Sequence, residues 1–210
     1  MKIYYLLISF SLLIACDYSK NDKKQIESVY TEYENAAKQK DIQKMIDLSS
    51  VETINYFDKI VEDAKYLDSI SVTKLAPIDK TLILYLRQTL TIEQLFIYTG
   101  KELLQFNLRN SLNVKSDEKV KLKKIEVNSE TAQCSISING KTSKVRLEFK
   151  KENNLWKYNF VNSFTKSTND NFYISLQKLK ISEHDFLKRI VQNMSGKELS
   201  DKLWNQQISR

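Results

Sequence analysis

An Asn-Gly pair at positions 139 and 140, flanked on both sides by alternating apolar and polar residues, constrains this chain more than any other feature. Both central residues of a type I′ turn need positive φ, which Gly adopts freely and Asn at little cost, so the pair reads as the tip of a two-residue hairpin. The tip sets a register. Pairing Ile138 with Lys141 places Cys134 opposite Val145 and Ala132 opposite Leu147, so two apolar rows meet on one face. A four-residue turn at 151–154 then sets Phe149 opposite Trp156, Leu147 opposite Tyr158 and Val145 opposite Phe160, on that same face. The other face collects Gln133, Ser135, Ser137, Lys144, Arg146, Glu148, Lys157 and Asn159. One side is core and the other solvent. Val120, Leu122, Ile125 and Val127 form a preceding strand whose alternation slips at Lys123-Lys124, as it does at a β-bulge. Residues from about 119 to 161 therefore read as a curved antiparallel sheet of three to four strands.

Helices flank it. Ile26, Val29, Tyr30, Tyr33, Ala36 and Ala37 recur at three- and four-residue steps, which predicts an amphipathic helix to about Lys40. Asp41 and Ser50 are N-caps for the next two helices, the second striped by Phe57, Ile60, Val61 and Ala64. Pro77 stands in a loop ahead of a helix capped by Asp79 and apolar on most sides (Leu82, Ile83, Leu84, Leu86). Thr91 with Gln94, Thr99 with Glu102, Ser182 with Asp185 and Ser195 with Glu198 each open a further helix. The fold class is α+β, with N-terminal helices, the sheet, and C-terminal helices packing on one sheet face.

The first residues are of a different kind. Lys2 precedes an apolar run over 3–15 that is too short to span a bilayer and has the charged-then-apolar layout of an export signal. The run ends in Leu13-Ile14-Ala15-Cys16, which resembles the lipobox of bacterial lipoproteins. That resemblance implies cleavage of residues 1–15 and diacylation of Cys16, and so a protein anchored by lipid to a membrane of the bacterial cell envelope. Residues 16–25 then comprise the lipidated Cys and a polar flexible tether reaching about 30 Å. Residues 26–210 form a single α+β domain, whose one cysteine, Cys134, excludes an internal disulfide.

A long first helix, the turn Ala36-Ala37-Lys38-Gln39-Lys40-Asp41 into a second helix, and a closing hairpin carrying Leu155-Trp156-Lys157-Tyr158 also resemble the nuclear transport factor 2-like superfamily. The chain as a whole is similar to uncharacterised bacterial lipoproteins. The superfamily resemblance implies a cone between sheet and helices, here lined by Cys134, Leu147, Trp156, Tyr158 and Phe160. Its isomerases and dehydratases place an Asp or His in that cone. No acid or base points inward from these strands.

Other chemistries lack their residues. One histidine, His184, reads as an exposed first-turn residue, and with two cysteines in the chain the usual transition-metal ligand sets cannot be assembled. Three glycines leave no glycine-rich phosphate loop. Asp58, Glu62, Asp63 and Asp68 read as a solvated acidic face. The formal charge of +7 comes from lysines that alternate with acids and polar residues and do not frame aromatic stacking positions, so nucleic acid is not an expected partner. The expectation is a non-enzymatic binding or scaffold module without cofactor, taking a small apolar ligand in the cone or an envelope protein on its surface. A toxin-inhibiting, immunity-type lipoprotein is the alternative, with an isomerase or dehydratase-type enzyme behind it.

Overall fold

The computed structural model describes residues 3–113 and 119–205, with side chains over 20–111 and 119–204. The order is α1 (Ile3–Gln39), α2 (Ile42–Leu48), α3 (Val51–Tyr66), α4 (Ser69–Thr73), α5 (Pro77–Thr89), α6 (Ile92–Ile97), α7 (Gly100–Asn113), β1 (Val120–Asn128), β2 (Thr131–Ile138), β3 (Lys141–Glu152), β4 (Leu155–Asn159), α8 (Val161–Leu179), α9 (Glu183–Ser195) and a 3-10 turn, Asp201–Asn205. The fold is α+β around one antiparallel sheet with strand order β1-β2-β3-β4. Where the sequence reading has one domain over 26–210, the chain gathers into two compact units: 1–50 with 109–160, and 51–108 with 161–210.

The first unit holds the sheet. Asn139 (φ 51) and Gly140 (φ 83) form the expected left-handed pair, with Ile138 opposite Lys141. The register then departs from the simple count. Three residues of β3, 143–145, face the single Ile136 of β2, so Cys134 lies opposite Leu147 and Ala132 opposite Phe149. The Ser143 hydroxyl accepts from the Val145 amide at 3.1 Å and secures the bulge. The last turn is also tighter than expected: Asn153 (φ 50) and Asn154 (φ 64) make a two-residue loop, bringing Phe149 opposite Tyr158 and Lys151 opposite Trp156. Both slips are by two residues, and an even slip leaves every side chain on its original face. The apolar face therefore survives: Ile125, Ala132, Cys134, Ile136, Leu147, Phe149 and Trp156 form one buried cluster. The irregularity between Leu122 and Ile125 in β1 falls at the expected bulge.

Two residues assigned to the solvent face, Ser137 and Asn159, are buried. Asn159 is covered because the chain leaving α2 runs along β4: the Ser50 amide donates to the Tyr158 carbonyl at 2.9 Å and the Ser50 hydroxyl to Asn159 Oδ1 at 3.1 Å. The helix that covers the sheet is α1, whose Ile26, Val29 and Tyr30 pack on the cluster. The C-terminal helices, expected on that face, belong to the second unit. Nor do residues 16–25 form a tether; α1 runs through them as helix, and Asp22 is buried. Lys2 lies outside the described residues, and the lipobox side chains, Cys16 included, lie outside those described.

The second unit is helical and built on α5, which packs against α3 and α9. Leu82, Ile83, Leu84 and Leu86 are all buried, as an all-round apolar helix requires. Pro77 is its first residue, after Ala76 as cap, because a helix's first amide needs no partner and proline offers none. Asp79, read as that cap, instead accepts from the Tyr56 hydroxyl at 2.6 Å. Thr91 with Gln94 forms the reciprocal capping box, and Ser182 caps α9. Ser195 does not open a helix: α9 ends there, with Gly196 (φ 68) as its left-handed terminator.

Candidate functional site

The five residues expected to line a cone sit as follows. Cys134, Leu147 and Trp156 are buried in the sheet cluster beneath α1, and Tyr158 is packed against it. Tyr158 is also the hub of a ring group, edge-on to Tyr33 at 4.8 Å and tilted against Phe149 at 5.3 Å and Phe160 at 6.0 Å. Four of the five therefore belong to the first unit's sheet cluster, while half-buried Phe160 meets it only through the Tyr158 ring. Burial pushes the Cys134 thiol up to about 12, with the Glu27 charge adding to the effect, so at neutral pH it is a thiol and not a nucleophilic thiolate. Burial likewise raises Tyr33 far above a phenol's ordinary range, with Tyr158 reinforcing it.

The arrangement that sequence reasoning missed is a three-membered clasp on Asp22. Asp22 Oδ1 accepts from the Trp156 indole Nε1–H at 2.9 Å and from Lys151 Nζ at 2.8 Å. Lys151 Nζ also stands 5.6 Å from the centre of the Trp156 ring. The tight Asn-Asn turn makes this possible, because it sets Lys151 directly opposite Trp156. A carboxylate so placed would ordinarily be penalised by burial, but the lysine and indole bonds outweigh that penalty and hold Asp22 below the usual carboxylate range. The clasp thus fastens the early part of α1 to the last hairpin. Its one sequence signal is a lone Asp amid lysines, Lys20, Lys23 and Lys24.

A depressed folded pKa stabilises above the unfolded value, about 3.9, and that stability is lost as pH falls through the folded value. The indole N–H resonance of Trp156, followed by NMR from pH 6 downward, is therefore expected to stay fixed until below about pH 4 and then move as α1 loosens. Asp22→Asn should abolish that step. A step of equal size in the Asn variant would show that another group drives it.

The acidic side chains of α3 have local uses. Asp58 Oδ1 accepts from the Gly100 amide at 2.8 Å, where a Cβ on Gly100 would collide with the Asp58 backbone. Glu62 pairs with Lys65 and Asp63 with Lys59, while Asp68 caps α4 through the Ser71 amide. Among the described residues no group of three or more His, Cys, Asp or Glu could hold a metal ion.

No family model and no curated protein matches this sequence. Among solved structures, a phospholipid-binding protein from Ralstonia solanacearum, determined in complex with a phospholipid, aligns over 83% of this chain and 98% of its own at 11% identity. Its TM-score is 0.33, a likeness that assigns this chain neither a fold family nor a ligand.

Proposed function

We propose that this protein is a non-enzymatic binding or scaffold module of the bacterial cell envelope, held at a membrane surface by lipid on Cys16. The observation that supports it most is the union of a lipobox with the clasp on α1. Asp22 is the sixth residue after Cys16, so even a fully extended link between lipid and clasp measures about 20 Å. A module fastened that closely works at the bilayer surface. Two or three acyl chains, at about 0.8 kcal/mol per buried methylene, make such an anchor lasting. The nuclear transport factor 2-like resemblance belongs to the same reading, favoured by long α1, the turn at Lys40 (φ 58) and the core position of Trp156.

Intact-mass analysis of the chain expressed in bacteria tests the proposal. The expected product begins at Cys16, carries added lipid mass and floats with membranes, whereas Cys16→Ala leaves an uncut precursor. A mature N-terminus elsewhere with no lipid mass would overturn it.

A second reading, the immunity-type lipoprotein, draws on α6. Ile92, Phe96 and Ile97 are 48%, 60% and 76% exposed there, and clustered exposed apolar side chains mark protein-binding surfaces.

A further inference from the structure

Positive charge gathers at the hairpin end of the sheet. Residues 119–125 and 136–147, the strand ends that meet at the Asn139-Gly140 tip, carry six lysines and Arg146 but no acidic residue. Glu126, just beyond, pairs with Lys124 at 2.5 Å and with Arg146 at 3.6 Å. The other five lysines, 119, 121, 123, 141 and 144, are exposed, and none has an ion pair among the described residues. Asp117 and Glu118 precede Lys119 in sequence and lie outside the described residues. Counted with Glu126 against the seven cations, they still leave a surplus of four. The backbone keeps this end together: the Lys119 amide donates to Asn139 Oδ1 and the Asn139 amide to the Lys119 carbonyl, each at 3.0 Å. Like charges held so close repel one another, a cost that an anionic partner relieves.

The residue types choose among anionic partners. Among the described residues, no large apolar side chain between 119 and 147 is exposed, whereas protein interfaces rely on aromatic or aliphatic anchors at their centre. No aromatic residue stands among the cations for a nucleobase to stack on. A defined phosphate site favours the arginine fork, but six of these seven cations are lysines, which act as point charges. Spread point charge without anchors suits a plane of headgroups, near which each lysine contributes about fivefold in affinity.

We propose that the hairpin end of the sheet docks on the headgroup plane of an anionic phospholipid bilayer through Lys119, Lys121, Lys123, Lys141 and Lys144. The contact is separate from the lipid on Cys16 and does not depend on it. Lys151, which holds Asp22 of α1, is ten residues along β3 from Lys141, about 30 Å away.

Lysine acetylation of the full chain, followed residue by residue by mass spectrometry, tests the contact. With vesicles of phosphatidylcholine and phosphatidylglycerol in about 0.1 M salt, the five lysines should react roughly tenfold more slowly than without vesicles. Phosphatidylcholine alone should leave their rates within about twofold, and about 1 M salt, where screening shortens to about 3 Å, should abolish the protection. Lys121→Glu combined with Lys144→Glu should keep the thermal midpoint and return the remaining three to the unprotected rate. Cys16→Ala should leave the footprint unchanged, so failure of the anchor and failure of this contact are separately visible. Equal rates with and without anionic lipid would overturn the proposal. So would equal slowing at Lys74, Lys101 and Lys166, exposed lysines of the second unit, because the charge of the whole chain would then be at work. Polyglutamate that protects as well as the vesicles at the same charge concentration would also overturn it and assign this end to an acidic polypeptide.

Discussion

Arg87→Met is expected to lower the urea midpoint strongly, at a cost of about 3 to 5 kcal/mol, because it strips several buried carbonyls of their donor at about 1 to 3 kcal/mol each. Arg87 is 2% exposed, and its guanidinium makes five contacts, all to backbone carbonyls. Nε donates to Ala64 at 2.8 Å, Nη2 to Leu67 at 2.6 Å and Asp63 at 3.4 Å, and Nη1 to Leu203 at 3.1 Å and Trp204 at 3.0 Å. Three of these carbonyls lie at the C-terminal end of α3, where a helix leaves its last acceptors unmatched and its dipole favours a cation. The other two hold the 3-10 turn. Burial pulls the guanidinium down to about 10, so it stays charged at neutral pH. Methionine would fill the volume and leave the carbonyls dry. Arg87→Lys should recover less than half of the loss, because one ammonium cannot span a fork of acceptors on two elements. Wild-type-like midpoints for both variants would mean that water readily replaces the guanidinium. Because Leu203 and Trp204 are two of the five acceptors, Arg87→Met is also expected to loosen the 3-10 turn.

Trp156→Ala comes second, at about 3 to 5 kcal/mol for truncating a core aromatic and opening a cavity. The side chain is 2% exposed. It also supplies one of the two donors that keep Asp22 ionised. Trp156→Phe separates the parts: it retains a ring but leaves the buried carboxylate with Lys151 alone, which should cost about 1 to 3 kcal/mol. Lys157→Ala on the adjacent residue should cost well under 1 kcal/mol, since its Nζ donates to an exposed carbonyl, that of Asp47. Coincident urea midpoints for Trp156→Ala and Lys157→Ala would mean that the indole is not part of the core.

What could be read in advance was what a few neighbouring residues decide among themselves. Asn139-Gly140, the caps Asp41, Thr91 and Ser182, and the slip at Lys123-Lys124 all carry their chemistry locally, and each appears where expected. Asn153-Asn154 carries the same turn chemistry but looks like the middle of a longer polar loop, so the register there was set two residues away. The bulge at 143–145 has no local mark, because a Ser-Lys-Val step suits a regular strand equally well. The clasp on Asp22 was hidden for another reason: a carboxylate in a lysine-rich segment reads as solvated until the hairpin that buries it is in place. Trp204 and Arg87 were equally silent, since the turn that joins them follows Gly196, where the Ser195-Glu198 pair imitates a cap.

The division of the chain has a consequence for the order in which it can be made. It leaves the first unit after residue 50, returns at 109 and leaves again after 160. Asp22 and Trp156, which lock α1 to the sheet, are 134 residues apart. At roughly 5 to 20 residues per second of synthesis, α1 waits on the order of ten seconds for the strands that cover Ile26 and Val29. Throughout that interval its apolar stripe is open to any chaperone or neighbouring chain. A nascent chain stopped after Leu108 would hold the helix without its sheet and α5 without α9, so the first unit cannot close before residue 160 is made, nor the second before α9.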